Sequence, residues 1–227
     1  MAIITKKGPA GTLSGQVGGI VVTTWRDKHV GKIAPGKRRK KKGTQPLDQN
    51  LRLGMMTNFL SPFKKQIKIG FEKKTNKYPA FQIAVEYNLK HAVTGEYPNF
   101  EIDYSKAVFS QGALDMAWAG KIVLTGDHEV LVTWEVPETS KIKITGKDTL
   151  HMMLYSKKRN KLVNFGKVMA TRGDLQFKEY FSQLYYGETL HAWIFFSSPD
   201  GRSVSNSRYI GTIEIPARAS QLITACE

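Results

Sequence analysis

Acidic residues are scarce in the first third of this chain. Of its 19 Asp and Glu, only Asp27, Asp48 and Glu72 precede Pro79, against 18 of the 34 Lys and Arg. The net charge of +15 therefore resides in Met1–Tyr78, and Pro79–Glu227 is neutral. A one-sided positive end predicts a negatively charged partner: nucleic acid, an anionic membrane face or an acidic protein surface. Cysteine is reduced to Cys226, which excludes an intrachain disulfide and a Cys-based zinc site and leaves a spare thiol or an interchain bridge. Long apolar runs are missing too, and none reaches the ~18 residues that suggest a transmembrane helix. Met1–Gly19, broken by Lys6, Lys7, Pro9 and five glycines, has no signal-peptide h-region. Cytoplasmic residence is expected, with release or extracellular assembly as the alternative.

The usual catalytic patterns are also lacking. His29, His91, His128, His151 and His191 form no HxxxH or HExxH pair, and neither a GxGxxG nor a P-loop occurs. Ser14 lacks the GxSxG frame of a nucleophile elbow. Glu135, Glu138 and Asp148 show no paired spacing that suggests glycosidase chemistry. The expectation is a protein that is not an enzyme and holds no metal or cofactor.

What is present begins with an arm. Gly8–Gly19 (GPAGTLSGQVGG) reads as a flexible leader or as tight turns with close backbone approach. Ile20–Trp25 is a β-branched and aromatic run, Val30–Ala34 its return strand, and Arg26–His29 the turn between them. A two-stranded hairpin is marginal alone and needs a sheet to join, either the chain's own body or a neighbouring copy. Ile20, Val21, Val22 and Trp25 are accordingly the candidate self-association residues. Six consecutive bases follow: Lys37, Arg38, Arg39, Lys40, Lys41 and Lys42. With Lys32 and Arg26 they form the candidate nucleic-acid-binding set, contacting phosphates without reading bases. Trp25 is the only aromatic before Phe59, which argues against base stacking on the arm.

From Leu47 the apolar period becomes helical. Leu47, Leu51, Met55, Phe59, Phe63, Ile67 and Phe71 predict two abutting helices over 48–60 and 62–69, with Ser61 as N-cap, Pro62 in the first turn and Gly70 as the stop. A third helix is expected over 79–93, ending at Thr94-Gly95. From Phe100 the period is two, with strands expected over 100–110, 117–124, 129–136, 149–156, 161–170, 174–181, 189–197 and 207–215. Trp134 and Trp193 are natural core aromatics. The fold class expected is mainly β with a helical N-terminal region (α+β): an Ig-like or fibronectin-like β-sandwich after a hairpin arm and two to three helices. The domains are 1–46 as basic arm, 47–98 as helical segment, 99–217 as sandwich and 218–227 as tail. Ser203–Ser207 reads either as a ligand-binding edge or as an exposed polar strand.

Gly8–Trp25 (GPAGTLSGQVGGIVVTTW), a basic segment and Gln45–Phe63 (QPLDQNLRLGMMTNFLSPF) resemble the N-terminal signature of an uncharacterised family from Bacteroidetes-type bacteria. Val108–Gly112, Val132–Trp134, Phe196–Ser198 and Ser205–Gly211 fit the same pattern. The resemblance implies a Gly-rich hairpin, a basic stretch and a C-terminal β-sandwich. It implies no activity or functional residues, and similar N-termini in phage and mobile-element proteins suggest an assembly role. The six-residue basic run is denser than that family pattern. The combined expectation is a structural protein that self-associates into a ring or filament through its arm and binds DNA or RNA backbone. An adhesin or carbohydrate-binding module using the sandwich loops, and a monomeric RNA-binding accessory protein, are the alternatives.

Overall fold

The computed structural model describes residues 2–5, 12–25, 28–34, 36, 48–71, 78–126, 128–136, 146–165 and 170–217. The chain divides into two compact units, Met1–Gln45 and Pro46–Glu227. The fold class is α+β, with helices and several antiparallel sheets.

The first unit is a four-stranded antiparallel meander: β1 (Ala2–Thr5), β2 (Thr12–Val17), β3 (Ile20–Trp25) and β4 (Lys28–Ile33), paired in chain order. The expected hairpin is β3–β4, in register from Ile20↔Ile33 to Trp25↔Lys28. The glycine-rich segment is more than a leader, because Thr12–Val17 lies against β3 as a strand. Gly18-Gly19 closes that hairpin, and Gly18 has φ +59, which favours glycine. The side-chain amide of Gln16 donates to the Gly18 carbonyl and steadies the turn. The sheet that the hairpin needed is thus supplied by the chain's own start.

The second unit opens with α1 (Asp48–Leu60), a 3-10 turn at Ser61–Phe63 and α2 (Lys64–Phe71). Ser61 does not cap a new helix. Leu60 and Lys64 both keep right-handed helical backbone, so the chain runs through the turn, where Pro62 costs no amide. The buried stripe is Met56, Phe59, Leu60, Phe63, Ile67, Gly70 and Phe71, while Leu51 and Met55 are only half-buried. A strict spacing of four drifts around a helix with 3.6 residues per turn, so alternating steps of three and four bury better. Pro79 precedes α3 (Ala80–His91), and Thr94-Gly95, expected to stop the helix, lies instead within a strand that starts at Val93.

A hairpin of β5 (Val93–Glu96) and β6 (Asn99–Ile102) leads to a 3-10 turn at Tyr104–Lys106, so the strand expected over 100–110 is short. An irregular strap follows to Met116. Then come β7 (Trp118–Leu124), β8 (Glu129–Glu135), β9 (Thr149–Ser156), β10 (Lys161–Leu162), β11 (Gln176–Tyr180), β12 (Thr189–Ser197) and β13 (Arg208–Glu214). They form sheets of order β11-β8-β7 and β10-β9-β12-β13. This three-plus-four antiparallel arrangement, with the short β10 pairing beside β9, is the fibronectin-like form of the sandwich.

The larger sheet is buried on both faces. Leu150, Met152 and Leu154 of β9 and Leu190, Ala192, Ile194 and Phe196 of β12 join the sandwich core with Val130, Val132 and Trp134. The alternate residues Met153, Tyr155, Trp193 and Phe195 join a second core with α1, α2 and α3. Trp134 and Trp193 therefore belong to different cores. In the second core Phe63 stacks on Phe109 at 4.2 Å, Phe109 meets Trp193 edge-on at 5.1 Å, and the Trp193 indole donates to the Tyr104 carbonyl.

Gly70 serves packing rather than helix termination. A Cβ built there would lie 2.4 Å from the Phe109 carbonyl oxygen and from Ser110 Cβ, whereas one on Gly54 would meet nothing within 4 Å. Gly70→Ala should lower stability by about 1–3 kcal/mol through overpacking, while Gly54→Ala should raise it by about 0.5–1 kcal/mol. Urea midpoints of the two variants provide the measurement; a neutral Gly70→Ala would mean that helix and strap do not approach this closely.

Candidate interaction surface

The N-terminal sheet and the charge around it form the candidate surface. Met1–Gln45 holds eleven Lys and Arg and one acid, Asp27. None of its residues with described burial is buried: Ile33 is 87% exposed, Ile20 is 52% exposed, and Val21, Val22 and Val30 are half-buried. Register divides these residues between two faces, because directly opposed residues share a face and neighbours along a strand alternate. Gly15, Ile20, Val22, Gly31 and Ile33 occupy one face, and Gln16, Val21, Thr23, Val30 and Lys32 the other. The expected self-association residues are thus split: Ile20 and Val22 share a face and Val21 opposes them. Trp25 ends β3 opposite Lys28 in register. Lys32 is exposed on β4. Arg26 and Lys37–Lys42 lie outside the described residues, so the phosphate-binding set remains a reading of sequence.

In the second unit, the polar tract Ser203–Ser207 forms a structural seam. The Ser207 hydroxyl accepts from the amides of Phe109 and Ser110, and the Ser110 hydroxyl donates to the Ser205 carbonyl. The Ser205 hydroxyl accepts from the Phe196 amide, and Asn206 Oδ1 from the Gly112 amide. A Cβ at Gly112 would lie 2.0 Å from the Val204 carbonyl oxygen, so the strap must carry glycine there. Asn88 holds the strap from the other side, exchanging hydrogen bonds with both the amide and the carbonyl of Val108. The segments 108–112 and 205–211, singled out by resemblance, are two sides of one joint.

Arg172 is likewise internal. The residue is 1% exposed, and its guanidinium pairs with Asp148 at 3.0 Å, donates to the Asp115 carbonyl and lies 4.2 Å over the Phe196 ring. The Arg-Gly-Asp triplet at 172–174 therefore cannot present its arginine to a partner.

Two features escaped the sequence reading. A groove of about 680 Å³ runs between Ser61–Gln66 and β9, lined by Lys64, Lys65 and His151, with no acid in its lining. Adjacent lysines were its only sequence signal. Secondly, a β-bulge in β7, with Ala119 at φ +44, leaves Trp118 53% exposed on the edge strand. Among the described residues, no group of three or more His, Cys, Asp or Glu could hold a metal ion. Among the same residues, no helix is long and apolar enough to cross a membrane.

The profile of a family of unknown function, DUF6266, matches residues 12–211. The chain belongs to that family. No curated protein and no solved structure matches it. The DUF6266 match spans β2 to most of β13, and so includes most of the N-terminal sheet as well as the body.

The two histidines on the inner strands of this DUF6266 chain are packed as neutral rings. His151 stacks on Phe195 at 4.6 Å and shares a 2.9 Å hydrogen bond with the Ser197 hydroxyl, and burial lowers its pKa. His191 stacks on Tyr104 at 4.1 Å and bonds the Tyr209 hydroxyl; burial lowers its pKa first, and the charge on Lys157 adds to the effect. Below the ordinary histidine pKa of about 6.5 the unfolded chain takes up protons that the folded chain refuses, so stability falls with pH there. The denaturation midpoint should be level above pH ~6.5 and drop below it, before the carboxylates titrate. Replacing both histidines by glutamine should flatten that drop, and an unchanged profile would exclude them as its cause.

Proposed function

We propose that this protein is a non-enzymatic assembly protein. Its N-terminal unit docks onto neighbouring copies and onto nucleic-acid backbone, and its sandwich and helices form the body. One observation carries the reading: Met1–Gln45 builds a sheet in which no residue of described burial is buried, while carrying eleven cations and one acid. A sheet without a core is stabilised by covering it, and a one-sided charge by neutralising it. The family's finer placement, in Bacteroidetes-type bacteria and in phage or mobile-element components, belongs to the same proposal, as does synthesis in the cytoplasm. A neighbouring copy is not needed to complete the hairpin, because β2 and β1 already extend it.

A second reading has one observation in its favour. Trp118, exposed on an edge strand by a bulge, is the kind of flat apolar platform that a carbohydrate-binding module uses. Binding to a glycan array that is lost in Trp118→Ala, yet unchanged when Lys37–Lys42 are neutralised, would favour it.

The test of the first reading uses the full chain. If Lys37–Lys42 neutralise six phosphates, log affinity for duplex DNA should fall with log salt at a slope of about −5. Replacing the six by Ser or Gln should remove most of that slope, with little dependence on DNA sequence in either protein. Equal affinity and slope for the two proteins would defeat the nucleic-acid half. Light scattering should show mass increasing with concentration; a monomer throughout, with and without DNA or RNA, would defeat the assembly half.

A further inference from the structure

We infer that the Ile20–Val22–Ile33 face of the N-terminal sheet is the self-association surface, and that its occupant is the same face of a second copy. This deepens the proposed function and rests on the N-terminal unit being a docking element. Three observations lead to it.

The first is the segregation of side chains. Gly15, Ile20, Val22, Gly31 and Ile33 share one face, whose rows end at Thr24 and His29 and place no Lys or Arg there, whereas Lys32, Gln16 and Thr23 lie on the reverse with Val21 and Val30. Both faces carry β-branched residues, but only the reverse carries the Lys32 charge, so the first is the face that can be covered without burying a lysine. The second is that the face is open: Ile33 is 87% exposed and Ile20 52%. The third is its relief. Ile20 and Ile33 stand opposite one another and make a ridge, while Val22 in the adjoining row is flanked by Gly15 and Gly31. A Cβ on Gly31 would meet only Ile20 Cγ2, at 3.7 Å, so the glycine leaves a depression that the chain itself does not fill.

A ridge beside a depression on the same patch is self-complementary under a two-fold axis, as an isologous interface requires. Charge points to the same occupant. An anionic partner would be drawn to the Lys32 face and the basic run, not to a face on which register places no Lys or Arg. Two copies that each carry this excess of cations can approach closely if the apolar faces meet and Lys32 turns away on both. The contact closes on itself, so it yields a dimer as the unit from which any larger assembly grows.

The experiment compares two adjacent substitutions of opposite facing in the full-length protein. Sedimentation equilibrium is run at high salt after nuclease treatment, so that polyanion bridging contributes nothing. The native protein should dimerise. Ile33→Asp should weaken the dimer at least about tenfold by placing a carboxylate in an apolar contact, with the circular dichroism spectrum and urea midpoint of the body unchanged. Lys32→Asp should leave the dimer as strong as native. Gly31→Ala, which the single sheet tolerates, should weaken it by filling the depression.

Equal effects of Ile33→Asp and Lys32→Asp would overturn the facing, while the assembly reading stood on the native protein's self-association. A native protein that stays monomeric under all conditions would overturn both. Binding of native protein but not Ile33→Asp to anionic lipid vesicles, without dimerisation, would assign the face to a membrane and likewise overturn the inference.

Discussion

The pairing of β9 with β12 is the constraint to which the rest of the body answers. Both strands place large apolar side chains on both faces, so each face must be covered or several aromatic residues would meet water. The three-stranded sheet covers Ile194 and Phe196, and the helices cover Trp193 and Phe195. At about 25 cal/mol per Å² of buried apolar surface, a buried aromatic is a large term in a domain of marginal stability. The helical layer is therefore integral to this sandwich, and its aromatic contacts join Phe59 and Phe63 to Tyr155 and Trp193 directly.

Between helices and sandwich runs the strap that ends at Met116, with little regular structure to satisfy its backbone. Backbone partners serve Gln111, Leu114 and Ser110, and side chains do the rest. Asn88 serves Val108, Ser207 serves Phe109 and Ser110, and Asn206 serves Gly112. An unpaired buried amide costs about 1–3 kcal/mol, so Asn88 and Ser207 are held to their positions by the backbone they satisfy, while the Asn206 bond lies at the exposed edge of the seam. Arg172 does the same at another edge, joining Asp148, the Asp115 carbonyl and the Phe196 ring. Much of what looks like functional polarity in the second unit is thus the cost of packing an irregular segment against two layers.

The first unit follows a different logic. It has regular backbone pairing, but none of its apolar residues of described burial is buried and its charge is nearly all of one sign. Local pairing satisfies its hydrogen bonds without supplying a core. The second unit is the reverse, with 23 Lys and Arg against 18 Asp and Glu and with two cores. That contrast is why we propose partner binding for the N-terminal sheet rather than for the basic groove beside α2 or for exposed Trp118.

Periodicity and charge alone determined the element types of the body, most strand positions from Trp118 on, the α+β class and the confinement of the net positive charge to the first third. Those properties are local, carried by alternation, proline placement and composition. Three matters were decided only by tertiary structure. The glycine-rich start became a strand because β3 offered it a pairing edge, and glycine's low strand propensity hid that. Gly70 and the Ser203–Ser207 tract took structural roles because of groups distant in sequence, which no spacing rule encodes. The division of Ile20, Val21 and Val22 between two faces followed from cross-strand register. A run of three β-branched residues has no facing until a neighbouring strand fixes which side is which.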